Sequence, residues 1–400
     1  MGNWMQKIRR FWDRSFFCQE FSNFFRKGDM VLLVLCLAIS AFSCLVLASV
    51  TGAEKFGGSS RYIVIQLLAT GLGVLVYAIM SSIDLESFSE HRLALTVFNL
   101  FLLSLLIPFG TDNSSGNRSW LSFPFLPFDI QPAEICKISF ILVLASVMNS
   151  HQNRLSSVRS VTHAAFHMLL LVGINIVLSK DAGVSLIFVF TFLGMAFAGG
   201  VKLLWFLAGG GLVATAWPIL WNHVMDKYQK LRLQVLFDPS IDPQGIGVRY
   251  HTKLSLQSLT GGGMTGQGLF NGNRTQAGAL PAQHTDFIFS SIGEELGYLG
   301  CALVLIMLFL LVARCIWVGV HTPDFMRRLV CFGAAAALIF QIFINVGMCI
   351  GIVPVIGLTL PLVSYGGSSV VTIYAMLGLV SGVHARPSPR SHERYIQPPR

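Results

Sequence analysis

Asp286 lies in the run His284-Thr285-Asp286-Phe287-Ile288-Phe289, where a long polar stretch gives way to an apolar one. Glu294 and Glu295 follow about two helical turns later. A carboxylate at membrane depth costs roughly 2.5–3.5 kcal/mol on insertion scales, so its presence calls for a use. Two uses compete. Asp286 can cap the entering helix by accepting its free N–H groups, or it can be the functional ionisable group that such a position suggests by default. His284 suits either role, as hydrogen-bond partner or cation, and suits a purely structural ring equally well. One of Glu294 and Glu295 is expected to pair with a buried cation.

A second set of candidates is Arg118 with Trp120, followed by Gln131-Pro132-Ala133-Glu134-Ile135-Cys136-Lys137. Pro132 fits the first turn of a helix, and Glu134 and Lys137 share one face at i, i+3 spacing. That face cannot look at lipid. It is either an internal ion pair between helices or the wall of a cationic pocket, with Arg118 reaching from a loop toward a phosphate. A third set, Ser364-Tyr365-Gly366-Gly367-Ser368-Ser369, ends a stretch broken by Pro354, Gly357 and Pro361. Irregular backbone at membrane depth must be buried in protein or line a wet cavity. The Gly366, Gly367, Ser368 and Ser369 N–H groups can face an anion at a helix start, or the run can simply be a kink. The glycines between Gly261 and Gly272 form no phosphate loop, because no Gly-Lys-Ser/Thr follows.

The elements that must position these residues follow from composition. Hydrophobic residues make up 54% and charged residues 12% of the 400, with a mean hydropathy of +0.66, far from the roughly 25% charged of soluble domains. Ten segments are long and apolar enough to cross a bilayer, at about 30–51, 61–82, 92–110, 132–150, 161–179, 181–199, 201–222, 292–313, 328–351 and 364–384. The expected fold is an all-α polytopic membrane protein. Arg and Lys residues before the first span and after the last place both termini in the cytoplasm. The net charge of +9 then reflects topology, since the cations occupy short loops and form no nucleic-acid face. The two short joins around Lys180 and Gly199-Gly200 leave open a bent or re-entrant pair.

Residues 1–29 mix cations with aromatics, as an interfacial anchor does. Residues 30–385 form the membrane domain, and the Pro-rich tail 386–400 is expected to be disordered. Within the domain, 223–291 forms one large extracellular loop, too long to be structureless and too small to fold alone, so it is expected to fold onto the bundle. Eight cysteines sit in or beside apolar spans, or in the N-terminus, and offer no disulfide framework or zinc spacing.

From about residue 28 to 385 these strings resemble the SEDS family of RodA, FtsW and SpoVE: Arg118 and Trp120, Gln131-Pro132-Ala133-Glu134 with Lys137, Tyr228 to Arg232, Asp238-Pro239, Leu280-Pro281, His284 to Phe289, Glu294-Glu295-Leu296-Gly297, Asn345-Val346-Gly347-Met348 and Val363 to Ser369. The resemblance implies a peptidoglycan glycosyltransferase that joins lipid II units and releases undecaprenyl diphosphate on the outer face of the bacterial cytoplasmic membrane. Asp286 matches the family's essential aspartate. The chemistry agrees, because glycosyl transfer needs a base for the acceptor hydroxyl and cations for the departing diphosphate.

Arg118 and Lys137 are then candidates for the diphosphate, Glu134 for orienting Lys137, and Gln131, His284, Thr285, Ser364, Gly366, Gly367, Ser368 and Ser369 for lining the substrate site. No residue set announces a metal; a divalent cation, Mg or Mn, is an option at the diphosphate. The implied partner is a class B penicillin-binding protein, with other elongation or division proteins. Asp238-Pro239 to Asp242-Pro243-Gln244-Gly245 leans toward an elongation member. Two departures stand out: the family's Gln-Pro-Asp-Leu-Gly-Thr reads Ser179-Lys180-Asp181-Ala182-Gly183-Val184, and Ala282 replaces an acidic residue. A lipid II flippase and a transpeptidase scaffold are the competing functions, the first disfavoured by the absence of repeated halves.

Overall fold

The computed structural model describes residues 28–52, 60–86, 91–111, 118–124 and 126–386. The interfacial anchor and the tail therefore lie almost wholly outside the described residues. Among the described residues, ten helices are long and apolar enough to span a membrane. In chain order the helices are α1 Met30–Gly52, α2 Arg61–Ser82, α3 Arg92–Ser104, α4 Leu106–Phe109, α5 Pro132–Ser150, α6 Val158–Ser179, α7 Ala182–Gly199, α8 Leu203–Ile219, α9 Lys227–Phe237, α10 Tyr250–Gly262, α11 Asn273–Gln276, α12 Ile288–Val320, α13 Phe325–Cys349 and α14 Gly367–Ala385. A two-residue antiparallel pair, β1 Gly110–Thr111 with β2 Trp120–Leu121, closes the α4–α5 connection.

The short joins resolve into separate helices. Lys180 ends α6 in the left-handed region (φ 55°), its N–H on the Ile176 carbonyl, and Asp181 starts α7 by accepting from Val184 N–H at 3.1 Å. A proline at 180, locked near φ −65°, could not make this turn. The family's proline is thus replaced by an αL cap.

Helices α5 and α14 are buried along most of their length and form the centre. Helix α14 packs most extensively on α2, because Gly378 lets the backbones meet: a β-carbon there would fall 2.6 Å from the Tyr77 carbonyl oxygen. The opposite extreme is α8, with no buried residue. It is tethered at its start, where Ser156 receives Lys202 N–H and Trp205 Nε1–H. Lipid is its natural solvent.

Both ends of the described core meet on one face of the bundle. Asp29 caps α1 through Leu32 N–H, pairs with Arg314 at 2.8 Å and receives the Tyr77 hydroxyl on its carbonyl, while its N–H reaches Ser381 on α14. Nearby, Arg327 pairs with Asp84 at 3.1 Å and donates to the Arg386 carbonyl. Ten crossings with both ends on one side agree.

The large loop is mostly helical and docks onto the bundle, as its size requires. Helix α10 lies along α12. The eighth span begins at Ile288, four residues before the expected 292, and runs to Val320 with a break at Gly297 (φ 67°, ψ −164°). That conformation is open only to glycine, and it lets Tyr298 N–H reach the Gly263 carbonyl.

Candidate active site

Three consecutive carbonyls hold the segment before α12. Those of His284, Thr285 and Asp286 accept respectively from Tyr365 N–H (2.9 Å), Ser364 Oγ (2.5 Å) and Asn345 Nδ2 (2.9 Å). The same Asn345 amide also donates to the Leu358 carbonyl at 2.6 Å. Phe287, Ile288 and Phe289 are buried behind, with His251 of α10 stacked on Phe287. The backbone is clamped from both neighbouring elements, so the direction of the Asp286 side chain is set.

That side chain does not cap α12. Phe287 holds the cap position without a side-chain bond to the helix, which removes the plain structural use weighed for Asp286. Its Oδ2 instead faces Gly357, where a β-carbon would stand 3.4 Å away. Asp286 is half-buried and Gly357 exposed. Desolvation by the surrounding protein pushes the carboxyl up to about 6, with Asp181 adding to the rise and Thr285 and Arg232 opposing it. Arg232, on α9, donates to the Val355 carbonyl at 2.7 Å and covers the Tyr228 ring at 4.4 Å. It is a cation held near the carboxylate, yet not spent on an ion pair with it among the described residues.

The second set of candidates reaches the same region from α5. Glu134 and Lys137, both buried, pair at 2.7 Å, and Thr372 on α14 donates to Glu134 at 3.1 Å. Gln131 Nε2 donates to Asp181 Oδ2 at 3.0 Å. Asp181 rises above the usual carboxylate range through burial and Glu134, against the Val184 and Gly183 N–H groups and Lys137. Gly183 packs on Ile356 and Leu358, the residues either side of Gly357. The 356–358 segment therefore separates Asp181 from Asp286.

The remaining candidates divide. Ser364 is a strut, buried, receiving Leu360 N–H and donating to Thr285. Gly367 packs directly on the Phe128 ring, Ser368 Oγ is buried without a partner, and Ser369 reaches Thr359 at 3.5 Å. His284 contacts Tyr62 and Tyr365 edge to face or tilted. Arg118 is exposed beside Ser119, whose hydroxyl lies 3.4 Å from the Ser179 carbonyl; no bond brings it to the carboxylates. Glu294, fully buried, accepts from Arg274 N–H, Thr275 N–H and the Thr275 hydroxyl, with the Arg274 guanidinium 3.9 Å away. Glu295 takes Ser49 and Gln276. These two glutamates fasten the glycine-rich loop, and the cation beside Glu294 is Arg274, which is partly exposed and not buried as expected.

Asp181 and Arg232 are the residues sequence reasoning left without a role. Asp181 had a signal, a carboxylate at a span start, but its neighbourhood with Asp286 bridges about a hundred residues of chain. Among the described residues no group of three or more His, Cys, Asp or Glu side chains could hold a metal ion.

Comparison with known proteins places the chain as a whole. The FtsW/RodA/SpoVE family model, described as cell cycle protein, matches residues 27–388. The peptidoglycan glycosyltransferase MrdB of Escherichia coli K12 is 32% identical over 358 residues, covering 89% of this chain and 93% of the relative. The probable peptidoglycan glycosyltransferase FtsW of Tolumonas auensis is 33% identical over 370 residues, covering 89% and 91%. Among solved structures, a chain from work on the structural coordination of polymerization and crosslinking by a peptidoglycan synthase complex superposes with a TM-score of 0.74 at 29% identity, covering 90% of this chain and 98% of that one. Thermus thermophilus rod shape determining protein RodA gives 0.66 at 27% identity, covering 91% and 98%. With the match spanning nearly the whole membrane domain and the fold shared throughout, the chain belongs to the FtsW/RodA/SpoVE family.

Proposed function

We propose that this protein is a peptidoglycan glycosyltransferase that polymerises lipid II, with Asp286 as general base. The observation that carries the reading is the clamped, desolvated Asp286 carboxylate facing an exposed backbone segment, with a cation, Arg232, in its field. Asp286 accepts the proton of the acceptor GlcNAc 4-hydroxyl as that oxygen bonds to C1 of the donor MurNAc. The C1–O bond to undecaprenyl diphosphate breaks, and C1 is inverted. A single base suffices, and a carboxyl near 6 is ionised at neutral pH while remaining a better proton acceptor than an ordinary aspartate.

Arg232 is the cation best placed to meet diphosphate charge near Asp286. Lys137 contributes through its ion pair with Glu134, which would loosen as phosphate oxygens arrive. Arg118 meets substrate from the exposed rim. Gln131, Thr285 and Ser369 shape the surroundings, and Ser364 holds the base. A divalent cation, Mg or Mn, could accompany the diphosphate of the substrate.

The site lies on the face opposite the Asp29–Arg386 layer, which the flanking cations mark as cytoplasmic. Polymerisation then takes place on the outer side of the cytoplasmic membrane. A class B penicillin-binding protein is the partner that would crosslink the product, a reading supported by the structural likeness to a chain of a peptidoglycan synthase complex.

The test is strand synthesis from labelled lipid II by purified protein, alone and with that partner. Asp286→Asn should lower the rate by about 10²–10⁴-fold with unchanged elution in detergent. Normal strands from the Asn variant would remove the assignment.

A further inference from the structure

The turn that carries Ser364 is held on two sides. Toward the base, Ser364 Oγ donates to the Thr285 carbonyl and Tyr365 N–H to the His284 carbonyl. On the other side its own carbonyls accept from the first two spans. Ser43 Oγ of α1 donates to the Val363 carbonyl at 2.6 Å, and Gln66 Nε2 of α2 reaches the Ser364 carbonyl at 3.4 Å and Ser43 Oγ at 3.1 Å. Ser43 and Gln66 are completely buried. Helix α1 also meets the base's segment directly, since its Val50 carbonyl accepts from Gln283 Nε2 at 3.0 Å.

Helix packing alone does not account for these two side chains. Hydroxyls elsewhere in the same helices bond their own backbone: Thr51 donates to the Leu47 carbonyl and Thr70 to the Gln66 carbonyl, each four residues back. Ser43 sends its proton to a remote turn instead. Gln66 keeps its Oε1 buried without a hydrogen-bond partner among the described residues, which lowers stability. A glutamine serving only to join α1 to α2 would gain from pairing both ends. The turn is itself strained, with buried Leu362 in the left-handed region at φ 61°. Such a conformation persists where the surroundings over-determine it, and it gathers at functional sites.

We infer that Ser43 and Gln66 are positioning residues for glycosyl transfer: from behind the 362–365 turn they fix Ser364, and through Ser364 the Thr285–Asp286 segment. The inference rests on Asp286 being the base. A base carried on an irregular segment has no helix or strand of its own to hold it, so its orientation depends on what backs that segment. Here the backing is a chain of hydrogen bonds from Gln66 through Ser43 and the Val363 and Ser364 carbonyls to the Thr285 carbonyl. Each link is a hydroxyl or amide on a backbone carbonyl or on the next hydroxyl. The first two spans, which bring no side chain to the carboxylate in this chain of contacts, thereby set where the acceptor hydroxyl meets its base.

The experiment is steady-state strand synthesis from labelled lipid II by the purified full chain, with folding of each variant checked by elution in detergent. Ser43→Ala should lower the rate constant about tenfold with KM unchanged. Gln66→Met, of similar length but without the amide, should act in the same direction, and it carries the test should Ser43→Ala fail to fold. Because Ser43 works through the turn of Ser364, adding Ser43→Ala to Ser364→Ala should cost less than about a further threefold. A further loss of about tenfold marks an independent effect and overturns the inference. Ser381→Ala removes an equally buried hydroxyl at the far end of α14, where it accepts from Asp29 N–H at 2.9 Å. It should lower the melting temperature and leave the rate constant intact. Equal rate losses in Ser43→Ala and Ser381→Ala mean general loosening and overturn the inference, as does a wild-type rate constant in both Ser43→Ala and Gln66→Met. Asp286→Asn in parallel separates the two claims: if it is inactive while Ser43→Ala runs at the wild-type rate, only the positioning role falls, and if it is active, the base itself is misassigned.

Discussion

At the scale of single residues, the Asp286 carboxyl links function to stability. A base must be ionised, so strand synthesis should fall as pH drops through about 6 and stay level above it. A rate that holds constant down to pH 4.5 would contradict the assignment. The same shift has a cost in folding. Because the folded protein binds the Asp286 proton more readily than the unfolded chain, stability contributed by this group declines as pH rises from about 4 to about 6, and the deficit persists above that. It amounts to no more than about 3 kcal/mol. Asp286→Asn carries no such charge, so its melting temperature in detergent should exceed that of wild type at pH 8, with the gap closing toward pH 4. Loss of activity with gain of stability is the pattern expected of a strained functional group.

At the scale of elements, the site is a problem of holding a loop. Ser364 and Asn345 each satisfy two backbone groups, one on the Asp286 segment and one on the 358–360 stretch. Ser364→Ala leaves buried groups unpaired, at about 1–3 kcal/mol, and loosens the base rather than the substrate contacts. Its rate constant should drop about tenfold with little change in KM, measured against lipid II concentration. A pure KM effect would place Ser364 on the substrate instead. On α12, Gly297→Ala meets both a forbidden φ and the backbone of Gly266 and Met264. It should release the glycine-rich loop, lower the melting temperature by several degrees for about 1–3 kcal/mol of strain, and expose that loop to protease. The sequence marks these positions as polar or glycine residues in apolar surroundings. It does not tell a strut from a ligand: Ser364 and Ser369 lie in one motif, yet one bonds the Thr285 carbonyl beside Asp286 and the other faces Thr359.

At the scale of the whole molecule, the loop cations predict the orientation in the bilayer. Arg314–Asp29 and Arg327–Asp84 tie together the face where both described ends meet, while Lys180 and Arg118 are exposed on the face of the site. In intact cells a single cysteine replacing Lys180 should react with a membrane-impermeant maleimide, and one replacing Arg159 only after permeabilisation. Reversed labelling would put the site in the cytoplasm and exclude polymerisation on the outer surface. Helix α8 stands apart from the bundle, with all its residues at least partly open to lipid, so its packing contributes little to holding the site together.

Hydropathy alone determined the ten spans, because the bilayer penalises every unsatisfied backbone group and every stray charge along each segment separately. The ordered motifs likewise singled out Asp286, Glu134 and Lys137. The partners of Asp286 were decided only by the tertiary structure. Asn345 comes to it from α13, and Ser364 holds the neighbouring Thr285 carbonyl from the turn before α14; contacts between residues so far apart in the chain leave no periodicity or spacing to read. The break at Gly297 and the αL turn at Lys180 were hidden for a related reason, since a local backbone angle is fixed by what the neighbouring elements must reach.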